Sequence, residues 1–482
     1  MKKILFVGAE AMPFAATGGL GDVLGSLPAA LAKEPETDIR VVIPLYSAIK
    51  EEWRREMKQE AVFTVPLSWR RQYCGVYSLE KDGVIYYFID NEYYFKRDSL
   101  YGSYDDGERF AFFCMAVMET MAAVGFFPDI LHAHDWQSAL SIIYLNHIYK
   151  KHPEYQNIKT VYTIHNIEYQ GKYDFSILGD VFSLTENEHA LMEHDGCINL
   201  MKAAIEDADT VTTVSPRYAE EIQTPEYAHG LHASLKNNAH KLMGILNGID
   251  YTYYDPKIDG SIVANYSSAN TDGKAECKAA LQRELGLEER ADVPLLAIIS
   301  RLASHKGLDI IEGCIYDIVM RHDIQLVILG KGEERFEQFF CYLQDRFPQK
   351  VKALITYDRD LSKRIYAATD IFLMPSKSEP CGLSQMIASR YGAIPVVRET
   401  GGLYDSIKPF WMKGDRMYGN GFTFAGYNAS ELRERTEAAI ELYGNAELRR
   451  KLVYKIMRTD FSWKASAKKY IEMYSQLENR KD

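Results

Sequence analysis

The sequence predicts an α/β protein with two doubly wound domains. Short apolar runs of strand length recur along the chain, and helical patterns separate most of them, which is typical of parallel sheets. The alternation stops at a polar stretch near residue 255 and then begins again. Since 482 residues also exceed one ordinary domain, we expect two separate cores.

The first half opens with a strand at residues 3–7, a glycine loop and a helix at about residues 22–32. This order is typical of the start of a doubly wound sheet. Further strands are predicted at residues 39–43, 84–89, 130–133, 160–164 and 210–214. The spacing of Gly18, Gly19 and Gly21 does not match G-x-G-x-x-G, so it does not support a nicotinamide site. We interpret the loop either as an anion site or as a tight turn.

The second half repeats this architecture. Strands are predicted at residues 294–299, 325–329, 351–355, 370–374 and 393–397, and residues 431–476 are mostly helical in pattern. We place the first domain at residues 1–252 and the second at residues 253–460, with a surface excursion at residues 255–273. A C-terminal helix at residues 461–482 is expected to pack back on the first domain.

The composition excludes several classes of protein. A net charge of −11 and a pI near 5.7 argue against a nucleic-acid-binding protein. No stretch approaches the roughly 20 apolar residues of a membrane helix, and Glu10 interrupts the short apolar run that would mimic a signal peptide. Seven scattered cysteines without a Cys-x-x-Cys pair fit a reducing compartment. We therefore expect a cytoplasmic protein that binds neither membranes nor nucleic acids.

Two predicted strands of the first half end in polar clusters. His132, His134 and Asp135 close one strand, and His165 and Asn166 close the other. Ligands of open α/β sheets bind at the carboxyl ends of strands, so we expect these side chains at one rim. A metal site is the alternative interpretation, but only His132 and His134 are close in sequence, and strand alternation points both to the same face.

The second half places fixed charges after its strands. Arg301 and Lys306 share the loop after the 294–299 strand, and Glu379 lies in the loop after the 370–374 strand. Two cations at a strand end suit a diphosphate, and they would stabilise the charge that grows on a departing nucleotide. Gly401 and Gly402 open a helix, where backbone N–H groups can approach an anion. Taken singly, each loop also fits a turn with solvated side chains.

These motifs, taken together, resemble those of bacterial glycogen synthase and plant starch synthase. The resemblance is collinear from Lys3 to about Trp463 and rests on seven motifs: Thr17-Gly18-Gly19-Leu20 with Asp22, His132-Ala133-His134-Asp135-Trp136, Thr163-Ile164-His165-Asn166-Ile167, Asn247-Gly248-Ile249-Asp250, Ser300-Arg301-Leu302 with Lys306-Gly307, Pro375-Ser376 with Glu379-Pro380-Cys381-Gly382-Leu383 and Gln385, and Thr400-Gly401-Gly402-Leu403. Each motif alone is weakly specific, whereas seven in order are strongly specific.

The resemblance implies the GT-B arrangement of retaining glycosyltransferases, in which two Rossmann-like domains face each other across a deep cleft. It also implies an activity in glycogen biosynthesis. Glucose would pass from a nucleotide sugar, ADP-glucose in most bacterial members, to the non-reducing end of an α-1,4-glucan or maltooligosaccharide. The nucleotide sugar is a co-substrate, so neither a cofactor nor a metal is expected.

The resemblance also implies roles for individual residues. Arg301 and Lys306 would hold the diphosphate, Glu379 would bind the donor glucose, His165 would lie by the reacting centre, and Asp22 would come in from the first domain. These five are the expected catalytic residues. The expected substrate-binding residues are Thr17, Gly18, Gly19, Asp135, Asn166, Asn247, Tyr357, Cys381, Gly382, Leu383, Thr400, Gly401 and Gly402, with Tyr357 stacking on the adenine.

Two positions depart from the family pattern. Ala16 stands where the family usually has lysine, and Gln137 stands where it has a second histidine after Asp135 and Trp136. Losing a direct charge-assisted contact would cost about 1.5–3 kcal/mol, which leaves the choice between ADP-glucose and UDP-glucose open. Ile387 occupies a position where many related transferases carry a second glutamate, although glycogen synthases commonly lack it.

Two alternatives to an α-glucan synthase remain. One is another GT-B enzyme, such as a hexosyltransferase that uses UDP-glucose or a sugar-nucleotide epimerase, and the motif at residues 379–383 argues against it. The other is a non-catalytic glucan-binding relative, whose expected sign would be the loss of Glu379, His165 or Lys306. All three are present. The sequence leaves the acceptor chain length, allosteric regulation and oligomeric state open.

Overall fold

The computed structural model describes residues 1–479, with side chains described as far as residue 477. The chain divides into two compact units. The first unit comprises Met1–Asn247 together with the C-terminal segment from Trp463, and the second comprises Gly248–Ser462. The end of the helix expected at residues 461–482 lies outside the described residues, at 480–482.

Strands and helices alternate through both units. The strands are β1 (Lys2–Val7), β2 (Thr37–Pro44), β3 (Lys58–Leu67), β4 (Arg70–Lys81), β5 (Val84–Asp90), β6 (Ile130–His134), β7 (Lys159–Ile164), β8 (Lys172–Tyr173), β9 (Glu193–His194), β10 (Cys197–Asn199), β11 (Thr210–Thr213), β12 (Leu242–Gly244), β13 (Leu295–Ile299), β14 (Gln325–Leu329), β15 (Val351–Leu354), β16 (Ile371–Met374), β17 (Ile394–Arg398), β18 (Trp411–Lys413), β19 (Arg416–Tyr418) and β20 (Phe422–Phe424).

The helices follow the same order. They are α1 (Gly19–Leu31), α2 (Glu51–Glu56), α3 (Glu92–Phe95), α4 (Asp106–Ala123), α5 (Trp136–Tyr144), α6 (Ile177–Asp180), α7 (His189–Met192), α8 (Leu200–Asp207), α9 (Pro216–Glu221), α10 (His232–Asn237), α11 (Asp272–Glu284), α12 (Leu308–Glu312), α13 (Ile315–Arg321), α14 (Glu334–Arg346), α15 (Arg359–Ala368), α16 (Ser384–Arg390), α17 (Gly401–Ser406), α18 (Ala429–Gly444), α19 (Ala446–Met457) and α20 (Trp463–Asn479).

The main sheet of the first unit runs in the order β12-β11-β7-β6-β1-β2-β5-β4-β3. The pairs from β12 to β5 are parallel, and β4 and β3 are added antiparallel at one edge. The strands predicted for this half correspond to β1, β2, β5, β6, β7 and β11. Helix α20 packs against α1, so the end of the chain completes this unit.

The sheet of the second unit runs in the order β15-β14-β13-β16-β17-β20, and all of these pairs are parallel. Its strands are rich in buried Leu, Ile and Val, including Leu296, Ile328 and Val396, as expected for a sheet covered on both faces. The predicted strands of this half correspond to β13 to β17. The predicted fold class, two doubly wound α/β domains, is confirmed.

Each sheet has a point at which the strand order reverses. Strand β1 lies between β2 and β6, and β13 lies between β14 and β16. Ligands of open α/β sheets bind at the carboxyl ends of the strands beside such a point. The loops after β1, β6 and β7, and those after β13, β16 and β17, are therefore placed for function.

Several regions differ from the sequence predictions: the strands β8 to β10, β12, β18, β19 and β20 were not predicted, and two further differences follow. The hairpin of β3 and β4 was not predicted: β3 starts with three exposed polar residues and contains Pro66, although Ala61, Phe63, Val65 and Leu67 alternate with more exposed residues. Residues 255–273 do not form a surface excursion. Tyr266 is buried and donates a hydrogen bond to the Tyr391 carbonyl at 2.8 Å, and buried Asp259 accepts from Lys363 at 3.1 Å. Polar side chains thus fix this stretch against the second unit.

Within residues 1–479, no helix is both long enough and apolar enough to cross a bilayer.

Candidate active site

A buried carboxylate organises the glycine loop after β1. Glu10 accepts hydrogen bonds from the backbone N–H of Thr17 at 2.7 Å and of Gly18 at 3.2 Å. The Thr17 hydroxyl donates to its other oxygen at 2.7 Å, and the Tyr101 hydroxyl donates to the same carboxylate. One interpretation of the glycine loop was an anion site. The backbone N–H groups of Thr17 and Gly18 instead donate to Glu10, a carboxylate of the protein itself.

The start of α1 nevertheless leaves room for a ligand. Gly18 and Gly19 are exposed, and a Cβ built on either would meet no atom within 4 Å. Close packing therefore does not require glycine at these two positions. Asp22 lies half-buried in the first turn of the helix. Ala16, in place of the family's lysine, is half-buried just before the loop.

Strands β6 and β7 bring three imidazoles together, and we call His132, His134 and His165 the histidine array. The rings of His132 and His134 share one face of β6, as predicted, and stack with centroids 4.2 Å apart. His134 Nδ1 lies 2.9 Å from His165 Nε2. His132 contacts the Tyr474 hydroxyl through Nδ1 at 2.7 Å and the Thr163 hydroxyl through Nε2 at 2.6 Å. The array is thus linked internally and to helix α20.

Burial keeps the histidine array neutral. It lowers the pKa of His165 to about 3. The pKa values of His132 and His134 lie well below their usual range because of burial and of repulsion by the neighbouring imidazoles. Among residues 1–479, no group of three or more His, Cys, Asp or Glu side chains is placed to hold a metal ion. The array therefore acts through hydrogen bonds of neutral rings.

Asp135 ties the end of β6 to the end of β7. It has a φ of 58°, a conformation that is costly for a residue other than glycine and that occurs often at functional sites. Its Oδ1 accepts the backbone N–H of His165 at 2.7 Å and that of Asn166 at 3.5 Å. Burial raises the pKa of Asp135 to about 7, although the backbone donors act in the opposite direction. Asp135 fixes the loop that carries His165 and Asn166.

In the second unit, Lys306 and Glu379 form an ion pair where the strand order reverses. Lys306 ends a short 3₁₀ turn after β13, and Glu379 lies in the loop after β16. Lys306 Nζ lies 2.7 Å from Glu379 Oε2, and the Ser376 hydroxyl donates to the same oxygen at 2.9 Å. Glu379 is buried and Lys306 half-buried, so removing either partner would leave a poorly solvated charge.

Glycines allow the loops of the second unit to approach one another. Gly307 has a φ of 75°, and a Cβ there would lie 2.1 Å from a backbone carbonyl oxygen of the β16 loop. At Gly401 and Gly402, a Cβ would lie 2.0 Å from the carbonyl oxygens of Glu379 and Cys381. The Gly402 N–H donates to the Glu379 carbonyl at 3.1 Å. The glycine pair thus supports the loop that carries Glu379, and its contact with a phosphate stays a prediction.

Two side chains that are predicted to contact the nucleotide lie at the same edge of this sheet. The Arg301 side chain has no ion-pair or hydrogen-bond partner within residues 1–479. Tyr357, in the loop after β15, is 81% exposed. Glu333, in the loop after β14, accepts from the backbone N–H and the hydroxyl of Ser304, each at 2.7 Å, and so fixes the loop that carries Arg301. A guanidinium and an aromatic ring are therefore accessible to a ligand.

The remaining predicted residues lie in or beside these loops. Cys381 is buried, Gly382 has a φ of 73°, and Leu383 precedes α16. Thr400 is buried before α17. Asn247 is buried at the end of the first unit, and its Oδ1 has no hydrogen-bond partner in the described part of the chain. Such an orphaned oxygen is a group that a ligand can satisfy.

Sequence reasoning assigned no role to several residues that hold these clusters together. Glu10 was visible as a charge directly after a buried strand, which is a usable signal. Glu333 and Ser376 lie in strand-end loops, but nothing local distinguishes them from solvated residues. Tyr474 lies 342 residues from His132, and no local pattern predicts their contact.

Two family profiles match the chain. The profile described as "Starch synthase catalytic domain" matches residues 3–237, and the profile described as "Glycosyl transferases group 1" matches residues 286–458. The matches fall in the first and the second unit, respectively.

Individual proteins match over the whole chain. Glycogen synthase from Bacillus subtilis (strain 168) is 46% identical over 478 residues, which are 98% of each chain. The solved catalytic domain of starch synthase IV from Arabidopsis thaliana, bound to ADP and acarbose, has a TM-score of 0.91 and 34% identity over 99% of each chain. Sucrose-phosphate synthase from Thermosynechococcus elongatus has a TM-score of 0.62 and 17% identity over 99% of each chain, which shows the fold alone.

Proposed function

The chain belongs to the glycogen and starch synthase family of glycosyltransferases, and we propose that it transfers glucose from ADP-glucose to the non-reducing end of an α-1,4-glucan, with retention of configuration. The resemblance predicted from the sequence is confirmed, and the chain is a glycosyltransferase with the GT-B fold. The related starch synthase was solved with ADP, which supports an adenine nucleotide as the leaving group here.

The Lys306–Glu379 pair is the observation that carries the donor assignment. When a nucleoside diphosphate leaves a sugar, negative charge grows on its terminal phosphate oxygen, and a preorganised cation lowers the barrier. Lys306 is held at 2.7 Å from Glu379, and Arg301 follows the same strand with an accessible guanidinium. Lys306 and Arg301 would bind the diphosphate, and Glu379, once released by Lys306, would accept hydrogen bonds from glucose hydroxyls.

The first unit supplies neutral and hydrogen-bonding groups. His165 is held by Asp135 through its backbone N–H and by His134 through its ring. A neutral imidazole can donate a hydrogen bond to a sugar oxygen without adding a charge. We assign His165 to the reacting glucose and Asp22, in the first turn of α1, to substrate contact.

Ala16 bears on which nucleotide sugar is the donor. The family's lysine at this position would supply another cation, and here alanine leaves the diphosphate to Lys306 and Arg301. UDP-glucose is therefore the second candidate donor. The exposed Tyr357 ring favours a base with a large π-face, and adenine offers a larger one than uracil.

Donor preference tests the proposal directly. The purified full-length protein is given a maltooligosaccharide with either ADP-glucose or UDP-glucose, and both the released nucleotide and the elongated glucan are measured. The matched negative control is Lys306→Ala, because it removes the charge that the proposal assigns to the leaving group.

We expect elongation with ADP-glucose at a much higher kcat/KM than with UDP-glucose. Elongation with UDP-glucose alone would overturn the nucleotide assignment and leave the transfer reaction standing. Release of nucleotide without glucan elongation would contradict the acceptor assignment.

A further inference from the structure

The contact between His134 and His165 restricts where their protons sit. Each neutral imidazole carries one N–H, and the two nitrogens that face each other at 2.9 Å can share only one hydrogen. Either His134 Nδ1–H donates to His165 Nε2, or His165 Nε2–H donates to His134 Nδ1. The two arrangements differ at the far nitrogen of each ring, His134 Nε2 and His165 Nδ1: each carries a proton in one arrangement and a lone pair in the other.

The surroundings of His134 Nε2, the nitrogen that faces away from His165, distinguish the two arrangements. His134 Nε2 is buried and has no hydrogen-bond partner within the described residues. The ring contacts those of His132, at a centroid distance of 4.2 Å, and Phe6, at 5.4 Å. If His134 donates through Nδ1, its Nε2 is a bare lone pair. If His134 accepts, its Nε2 is an N–H without an acceptor, and orphaned buried N–H groups are the rarer defect in proteins.

We propose that His134 is a positioning residue that fixes the tautomer of His165. His134 donates its Nδ1–H to His165 Nε2, and His165 therefore carries its own proton on Nδ1. His165 is half-buried, and within residues 1–479 its Nδ1 has no protein partner. The accessible nitrogen of His165 is a hydrogen-bond donor and not an acceptor.

The tautomer determines what His165 offers to a ligand. With the proton on Nδ1, the ring donates to an oxygen lone pair, such as that of a sugar hydroxyl or ring oxygen. In the other tautomer the same atom presents a lone pair, and a hydroxyl that needs a donor loses its partner. This part of the inference rests on the proposed function, because it takes the ligand of His165 to be the transferred sugar.

The tautomer itself is measured without substrate. Full-length protein labelled with ¹⁵N-histidine is studied by long-range ¹H–¹⁵N correlation NMR, and the His165 signals are assigned as those lost in His165→Gln. We expect the pattern of the Nδ1–H tautomer for His165, with an unprotonated Nε2 that accepts a hydrogen bond. A protonated Nε2 on His165 would overturn the proposal.

Variants separate positioning from packing. His134→Asn keeps an N–H donor near the position of Nδ1, whereas His134→Leu keeps apolar volume and removes the donor. We expect His134→Leu to mix the two tautomers of His165 and to lower kcat by about tenfold or more with little change in the donor KM. His134→Asn is expected to restore the Nδ1–H pattern and most of kcat.

Tyr474→Phe serves as the control, because it removes a hydroxyl from the same buried array and leaves the His134–His165 pair in place. It is expected to lower stability and to keep the His165 tautomer. If Tyr474→Phe changes the tautomer as much as His134→Leu does, the effect comes from packing and the proposal fails. If His165 is the Nδ1–H tautomer but the protein elongates no glucan, the proposed function fails and the positioning role stands.

Discussion

Lys306 Nζ and Glu379 Oε2 lie 2.7 Å apart at the point where the strand order of the second sheet reverses. A diphosphate that binds Lys306 meets a cation that a carboxylate already neutralises, so binding has to release that carboxylate. Glu379 then becomes available to sugar hydroxyls. Under the proposed roles of the two residues, the ion pair would couple recognition of the diphosphate to recognition of the sugar, and the first two predictions below test this coupling.

Replacing Lys306 with alanine is expected to lower kcat/KM for the sugar donor by about a hundredfold or more, because the variant loses a charge that stabilises the leaving group. Steady-state kinetics with a maltooligosaccharide acceptor measures the effect. The matched control is Lys451→Ala, which breaks a lysine–glutamate pair of 2.6 Å on the surface of α19. Near-normal turnover in Lys306→Ala would exclude its assignment to the diphosphate.

Glu379→Gln is expected to separate nucleotide binding from catalysis. The amide keeps the shape of the side chain but no longer neutralises Lys306, so free ADP should bind about threefold to tenfold more tightly. Turnover should fall, because the amide is a weaker acceptor for sugar hydroxyls. Calorimetric titration with ADP and kinetics on the same preparation test both parts. Weaker ADP binding would show that Glu379 does not compete with the diphosphate for Lys306.

Tyr357→Ala is expected to raise the KM for the donor by about tenfold with little change in kcat, since stacking on a base contributes about 1–3 kcal/mol. The side chain is 81% exposed, so the melting temperature should not change. Tyr342→Ala, at another exposed tyrosine on α14, is the control for losing an aromatic ring. An equal KM for both variants and the unmodified protein would exclude stacking at Tyr357.

The buried histidine array is expected to make the first unit sensitive to acid. The folded-state pKa of His165 is about 3, and those of His132 and His134 are also well below 6.5, so the unfolded chain binds more protons below pH 6.5. The contribution of the neutral array to the free energy of unfolding is therefore complete above pH 6.5 and decreases as the pH falls below it. Asp135 acts in the opposite direction between pH 4 and 7, since burial raises its folded-state pKa to about 7.

The three histidines outnumber the opposing aspartate, so the array should make the free energy of unfolding rise with pH between pH 5 and 7, by on the order of 1 kcal/mol per pH unit for each net proton. Unfolding of the full-length protein between pH 5 and 7 measures the slope. His132→Gln should reduce the slope by about one proton. A slope that His132→Gln leaves unchanged would contradict a neutral buried array.

Most of the central parallel strands could be predicted because they are short apolar runs that are buried on both faces, whereas the parallel edge strands β12 and β20 were not predicted. Strand β14 was predicted with its observed bounds, Gln325–Leu329. Strand β3 was missed although Ala61, Phe63, Val65 and Leu67 alternate with more exposed residues, because the strand starts with an exposed polar stretch and contains Pro66, which is unusual inside a strand. Residues 255–273 were misjudged because Asp259 and Lys363 are polar in sequence but satisfy each other when buried. Polarity predicts exposure only for groups that lack a partner.

The candidate site was predictable to the extent that topology determines it. Lys306 and Glu379 are 73 residues apart, yet both follow central strands of a parallel sheet, and the ends of such strands must meet. The position of Glu10 close after a buried strand was a signal for a strand-end carboxylate, but it did not indicate that this carboxylate accepts from the glycine-loop amides rather than facing solvent. The partner of His132 on α20 depends on long-range packing, about which local patterns carry no information.

Helix α20 has a consequence for synthesis on the ribosome. Its buried residues, among them Tyr474 and Leu477, complete the first unit, although the whole second unit is translated before them. Folding of a domain during translation normally proceeds from the N-terminus. Here the nascent first unit has to wait, with the face that receives α20 uncovered, until α20 has left the exit tunnel. That uncovered face is where a chaperone would be needed and where a prematurely terminated chain would aggregate.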